Sequence, residues 1–430
     1  MKLTHYSNAC CKYSYKNTSI ICDPWLYNGA FEGSWYNFPK TELTVDIVND
    51  CDAIYVSHLH PDHFDRKLIE QVRKDIDIII IDSKDMGVNF LERAIKSLGF
   101  TNIVTCRDFN SIKYRDFKIT VFKPFAPHPG DFHESKIGNL LDSALLVSAG
   151  GFTVLNTNDN TMDENSCLRF KAHFGSPTMV QLNYNAAGPY PSCFNNLSEE
   201  EKYLESNRIV ERNISHLIKC ASILEPKYVM PFAGNFVLGG KESYKNKYAG
   251  TISEYEASKR VKSEKWKVII LNSGKTFNFK KPEDHPRYIL PTKEDYQKFI
   301  ENITTDLYPY ECKQLQFSND EIVDFLKASR LKMWQYQERF NCFYNYSLYI
   351  EIGQDSFFHI NLENKMTKLT SKVEDDEDYM VISMDRNLLY LILKNDIHWN
   401  NAETGFHINF HRFPNKYIPD IHWLLCFLHT

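Results

Sequence analysis

The sequence predicts a layered α/β domain followed by a smaller α+β domain. Three observations carry this. Short β-rich runs alternate with helical stretches through the first 280 residues, the pattern of strands and helices stacked in layers. A segment dense in proline and charge, KKPEDHPRYILPTKEDY at 280–296, then interrupts that rhythm. Beyond it the order changes to one long helix, several strands and a second helix. At 430 residues the chain exceeds what a single core usually spans, so domains are expected over 1–282 and 283–430.

The N-terminus, MKLTHYSNACCKYSY, has no apolar stretch of the kind a secretion signal needs and reads as a first strand. Strands are expected in TSIICDPWL (18–26), CDAIYVSHL (51–59), DIDIIIIDS (75–83), FKITVFKPF (117–125) and ALLVSAGGFTVLNTND (144–159), all rich in β-branched residues. Helical spacing marks Arg66–Arg73, Gly87–Leu98 and the long amphipathic stretch Ser198–Leu224. In the second domain a helix is expected over Asn319–Phe340, capped by Ser318 or Asn319 with acids in its first turn. CFYNYSLYIEI, SFFHINLEN and MVISM read as strands, with the acidic turn VEDDEDY before the last. A helix-like stretch, Arg386–Lys394, and a closing strand, GFHINFHRF, complete the chain.

Hydrophobic residues at 43% and charged residues at 24% are the balance of a globular protein. A net charge of −5 offers no basic footprint for nucleic acid. No stretch reaches the length of apolar chain that a membrane span needs. The 11 cysteines show no C-x-x-C pair and no repeating interval, so reduced thiols in a cytoplasmic protein are expected.

The sharpest signal is VSHLHPDHFD (56–65). The apolar strand AIYV runs directly into His58-Leu59-His60-Pro61-Asp62-His63. Alternate residues of a strand share a face, so His58 and His60 can point together. Asp62 and His63 lie just beyond, where a loop can fold them back. Imidazole nitrogen and carboxylate oxygen suit Zn²⁺, Fe or Mn²⁺, and one or two divalent ions are expected.

This string resembles the H-x-H-x-D-H signature of the metallo-β-lactamase superfamily, which implies an αββα sandwich. By that resemblance His58 and His60 serve one metal, and Asp62 and His63 a second. Asp159, in VLNTNDN, matches the aspartate that bridges both. The third histidine of the first metal should follow FKITVFKPF, with His128 in PFAPHPGD as first candidate and His133 as second. The last family histidine should follow a strand near residue 230, but YVMPFAGNFV (228–237) has none. Asn235 or a C-terminal histidine (His398, His407 or His411) would have to take its place.

DPWLYNGAFEGSW (23–35), YVSHLHPDH (55–63), VLNTND (154–159) and MPFAGNFV (230–237) resemble the CMP-N-acetylneuraminate hydroxylases and their bacterial relatives. HWNNAETGFHINFHRFPN (398–415) is similar to their C-terminal part. Those enzymes carry a Rieske domain with paired Cys-x-His and Cys-x-x-His motifs; no Cys-x-His occurs here, and the one Cys-x-x-His, Cys426 to His429, stands without its partner motif. The resemblance therefore implies the scaffold without the electron-delivery module. The stretch DYMVISMDRNLLYLILKNDIHWNNAETG loosely resembles sterol-carrier-like domains. A structural or dimerising role, with assembly into a homo-oligomer, is the alternative for this half.

A metal held by His and Asp lowers the pKa of bound water to about 7. The simplest expectation is a hydrolase acting on a phosphoester, lactone or amide, with Asp62 orienting the nucleophile. The alternatives are an iron-dependent oxygenase fed by a separate reductase, and a binding protein with a vestigial metal. A small-molecule substrate, by family analogy a sugar acid or nucleotide sugar, would meet Trp25, Tyr27 and Trp35 on the first loop. It would also meet Asn183, Tyr184 and Asn185 in QLNYNAAGPYP, where Gly188 and Pro189 mark a tight turn. Asp23 is expected to orient a metal histidine.

Overall fold

The computed structural model describes residues 1–84, 90–125, 142–353, 356–374 and 378–430. Two seven-stranded sheets stack face to face. The first runs, in spatial order, Thr276–Asn278, Lys2–Ser7, Cys10–Tyr15, Thr18–Cys22, Ala53–Tyr55, Asp77–Ile81 and Ile103–Cys106. The second runs Lys267–Val268, Tyr228–Phe232, Met179–Asn183, Phe152–Asn156, Ala144–Ala149, Phe117–Phe122 and Ser111–Tyr114. Leu3, Tyr13, Ile20 and Ile79 meet Val121, Leu145, Val154 and Met230 between them. Helices cover both outer faces. Leu68 and Ile69 of the helix Arg66–Gln71 close the first sheet with Ile54, Ile78 and Ile80. Phe170, Ile214 and Leu217 close the second with Leu146, Val180 and Val229. The chain thus takes the expected αββα layering, two sheets between outer helices.

Local signals account for the main elements. The helix Glu199–Leu224 opens on Ser198, whose hydroxyl accepts from the Glu201 backbone while the Glu201 carboxylate reaches back. Its buried positions Val210, Ile214, Leu217, Ala221 and Leu224 recur every three or four residues and so face the sheet as one stripe. The run expected as strand over 144–159 is a hairpin, because Gly150 and Gly151 turn the chain at φ 60° and 81°. A side chain at Gly150 would meet the Tyr15 ring at 2.6 Å. Sequence spacing missed the helices Glu164–Phe174, Lys293–Ile303 and Trp399–Thr404. The expected helix Gly87–Leu98 is described only over Phe90–Ser97.

After the junction, the helix Asn319–Phe340 lies on a five-stranded sheet ordered Thr367–Thr370, Ser356–Asn361, Ser347–Gly353, Tyr379–Ser383 and Asn409–Phe413. Leu348, Ile350, Ile360, Met380 and Ile382 pack with Leu388, Leu391 and Ile392. That core does not stop at the junction. It continues through Trp25, Phe31, Trp35, Phe194 and Phe236 of the first part of the chain.

His407 sits in this continuous core. Its Nε2 lies 2.9 Å from the Phe31 carbonyl oxygen, to which it donates, and Nδ1 accepts from the Tyr310 hydroxyl at 3.0 Å. Burial holds its pKa down to about 4, whereas an unfolded histidine titrates near about 6.5. Between those values the unfolded chain binds the extra proton. Stability is therefore expected to fall as pH drops from about 6.5 towards about 4, by up to about 3 kcal/mol. The unfolding midpoint should drop across that window, and less so in His407→Gln. Equal drops would clear His407 of the effect.

All 11 cysteines are free thiols, buried except for Cys312. No helix among the described residues is long and apolar enough to cross a membrane.

Candidate metal centre

The site lies where the parallel strands end. His58 follows the strand Ala53–Tyr55, Asp23 follows Thr18–Cys22, and Asp159 follows Phe152–Asn156. Asn183 closes Met179–Asn183, and Asp142 precedes Ala144–Ala149, which runs antiparallel and so begins at the same edge. Ligand sites in open α/β sheets form at this carboxyl edge.

His58 Nε2 and His60 Nδ1 lie 2.8 Å apart. Asp142 Oδ1 is 3.8 Å and Asp159 Oδ2 4.0 Å from that same His58 nitrogen. On the other side His63 Nε2 lies 3.4 Å from both Asp62 Oδ2 and Asp159 Oδ2. Asp159 therefore faces both groups. Among the described residues, His58, His60 and Asp159 form the one cluster whose ligand atoms all fall within 4.8 Å of each other.

Each imidazole is oriented through its other nitrogen, the arrangement typical of metal-binding histidines. His58 Nδ1 lies 2.9 Å from the Ser57 hydroxyl. His63 Nδ1 lies 3.2 Å from Asp23 Oδ2. Asp23 is fixed in turn by the Ser57 backbone N–H at 2.8 Å. His60 Nε2 lies 2.6 Å from Asn400 Oδ1, 340 residues away. Ser143 ties the Asp142 segment down by donating to the Ser57 carbonyl at 2.8 Å.

Burial, with His63 and His60 nearby, pushes the His58 pKa well down, so it stands as a neutral donor. Burial acts the same way on His63, but Asp62, Asp159 and Asp23 outweigh it and hold that ring well above its usual range. Burial also works to raise Asp159, but the neighbouring His63 and His60 outweigh it and keep the carboxyl low. Asp23 is raised by burial, against the pull of His63 and Ser57. Among the described residues, buried Asp62 Oδ1 and His63 Nε2 find no hydrogen-bond partner, an expensive arrangement for polar atoms unless something completes it. A divalent cation fits this donor set, and on arrival it would displace the His63 proton.

Asp142 was not a candidate from sequence. His128 and His133, the expected third donors, lie outside the described residues. Asn235 turns away, its side chain donating to the Phe38 carbonyl at 2.9 Å. His407 is committed to Phe31 and Tyr310, and His398 Nδ1 accepts from the Asn400 backbone at 3.3 Å. His411 stacks on Tyr379.

The proposed substrate contacts divide. Trp25 and Trp35 are fully buried core residues. Trp35 stacks on Phe236 at 3.5 Å and donates to the Thr404 carbonyl, so neither ring has a face for a ligand. Tyr27 packs under Lys67 and bonds Gln71. Asn185 is consumed in bracing Gly234 and Ile252, and the Tyr184 side chain is enclosed. Asn183 alone of this set reaches the centre, 3.5 Å from Asp159 Oδ1. Sequence missed Phe31, whose ring lies 5.6 Å from that of His60.

No family model matches the chain. The cytidine monophosphate-N-acetylneuraminic acid hydroxylase of Danio rerio is 23% identical over 442 residues, which cover 96% of this chain and 70% of that protein. A putative Rieske 2Fe-2S iron-sulfur protein of Mycolicibacterium smegmatis is 35% identical over 184 residues, or 41% of this chain and 32% of the relative. The chain thus spans about a third of that mycobacterial protein. Among solved structures, an isothiocyanate hydrolase from Delia radicum gut bacteria matches with TM-score 0.44 and 18% identity, over 65% of this chain and 99% of its own. The diiron β-hydroxylase CmlA of Streptomyces venezuelae matches with TM-score 0.42 and 17% identity, over 60% and 50%. Hydrolases and hydroxylases are both among these relatives and neighbours.

Proposed function

We propose that the chain is an iron-dependent oxygenase that hydroxylates a small polar molecule with electrons from a separate iron–sulfur protein. The relationship to a hydroxylase over nearly the whole chain carries this reading, and the donor set agrees with it. Around His58 and His60 the described carboxylates are Asp142 and Asp159, a mixed imidazole and carboxylate set that holds non-haem iron and also occurs at catalytic zinc. The same relationship supports a sugar acid or nucleotide sugar as substrate.

Iron in the site would supply activation of dioxygen, one atom entering the substrate C–H bond and the other leaving as water with two electrons from the donor and two protons from solvent. His58, His60, Asp142 and Asp159 would hold one ion, and Asp62, His63 and Asp159 a second. Ser57 and Asp23 keep the two buried rings aimed inward. The Phe31 ring packs 5.6 Å from the His60 ring. Asn183 can bond whichever Asp159 oxygen is not engaged by metal.

One observation favours a hydrolase instead. Asp62 Oδ1 is buried and bonds no described residue, so it can orient an attacking water. Elemental analysis and the visible spectrum of protein purified without added metal separate the two. The oxygenase reading expects about two irons per chain and a ferric absorption band. Zinc or manganese alone would move the assignment to hydrolysis, and failure to bind metal after reconstitution would remove both.

A further inference from the structure

We infer that Asn400, on the helix Trp399–Thr404, is a positioning residue for the first half of the metal centre, holding His60 so that Nδ1 meets the metal. The inference rests on the metal-centre reading above. The His60 ring offers two nitrogens, and the one facing His58 is Nδ1, at 2.8 Å. Its Nε2 therefore carries the proton, which it donates to Asn400 Oδ1 at 2.6 Å. His58 and His63 are wholly buried and steered by Ser57 and Asp23 of their own sheet. His60 is only half-buried, stands beyond the end of its strand, and takes its orienting partner from the far end of the chain.

The helix bearing Asn400 is itself well anchored. Its Thr404 carbonyl accepts from the Trp35 indole at 3.1 Å. Its Glu403 accepts from the Trp399 indole at 3.0 Å and pairs with His422 Nδ1 at 2.6 Å. The facing loop is strained, with Phe31 and Glu32 both in the left-handed region at φ 50° and 58°, where side chains are disfavoured. That loop is held by the bond from His407 to the Phe31 carbonyl and by Asn401 against the Glu32 carboxyl. Asn400 is thus delivered to His60 by a fixed element, as an orienting group must be.

The test is cobalt(II) binding to the full chain, read as stoichiometry and affinity by competition with a chelator, with the unfolding midpoint measured alongside. Asn400→Ala should weaken one of the two ions by about 10–100-fold and leave the other unchanged. Asn400→Asp, whose carboxylate can accept the same bond, should bind close to the parent. Asn401→Ala, which loosens the same helix without touching His60, should bind like the parent. Parent-like affinity in Asn400→Ala, alanine-like weakness in Asn400→Asp, or equal weakening in Asn401→Ala would each overturn the inference. A parent chain that takes up no cobalt would overturn the metal reading itself, and this inference with it.

Discussion

Asp159→Ala is expected to yield a folded protein that retains neither metal. Among the described residues, Asp159 Oδ2 is the carboxylate oxygen that faces both His58 and His63, at 4.0 and 3.4 Å. Its removal takes a donor from both ions at once. Even orienting residues outside the ligand set cost metal sites 10–100-fold, so a loss beyond about 100-fold in affinity is expected here, with turnover lost alongside. The fold should survive with a modest loss of stability, because the buried His63 ring loses a carboxylate 3.4 Å away and the bound ions no longer favour the folded state. Metal content and the unfolding midpoint check both halves of this expectation. Two ions retained at parent affinity would show that Asp159 does not bridge.

Trp35→Ala should do the reverse, lowering stability before it touches chemistry. The ring is 2% exposed, parallel to Phe236 at 3.5 Å and tilted against Phe31 at 4.5 Å, and its indole N–H is bonded to Thr404. Removing such a ring costs about 3–5 kcal/mol, a large part of the total for most domains. Trp35→Phe should recover part of that, still losing the hydrogen bond to Thr404, about 1 kcal/mol, and some packed volume. Denaturant midpoints at constant slope are the measurement. An alanine variant of parent stability with a raised KM would restore the ring to the substrate site.

These two residues mark the boundary of what sequence could reveal. The string His58 to His63 was legible because a β-branched strand ends there and nothing structural asks for three imidazoles. Asp159 is placed by the family resemblance, since VLNTNDN by itself reads equally as a strand end followed by a turn. The caps at Ser198 and Ser318 were legible because capping is local chemistry. Asp142 left no local signature, since it reaches His58 only after the hairpin partner Phe152–Asn156 sets the edge at which Ala144–Ala149 begins. Asn400 meets His60 only once the two parts of the chain have packed. Trp25 and Trp35 looked like loop residues near a ligand. Their burial comes from Phe236 and the C-terminal helices, which no window around residues 25–35 contains.

The shared core around Trp35, Phe236, Leu348 and Leu391 also bears on how the molecule comes apart. The C-terminal helices cannot open without baring Trp35 and Phe236 of the first part, so their opening costs more than the loss of their own contacts. A fluctuation that frees them releases the orienting bond on His60 in the same event, so the first metal position is expected to loosen with them.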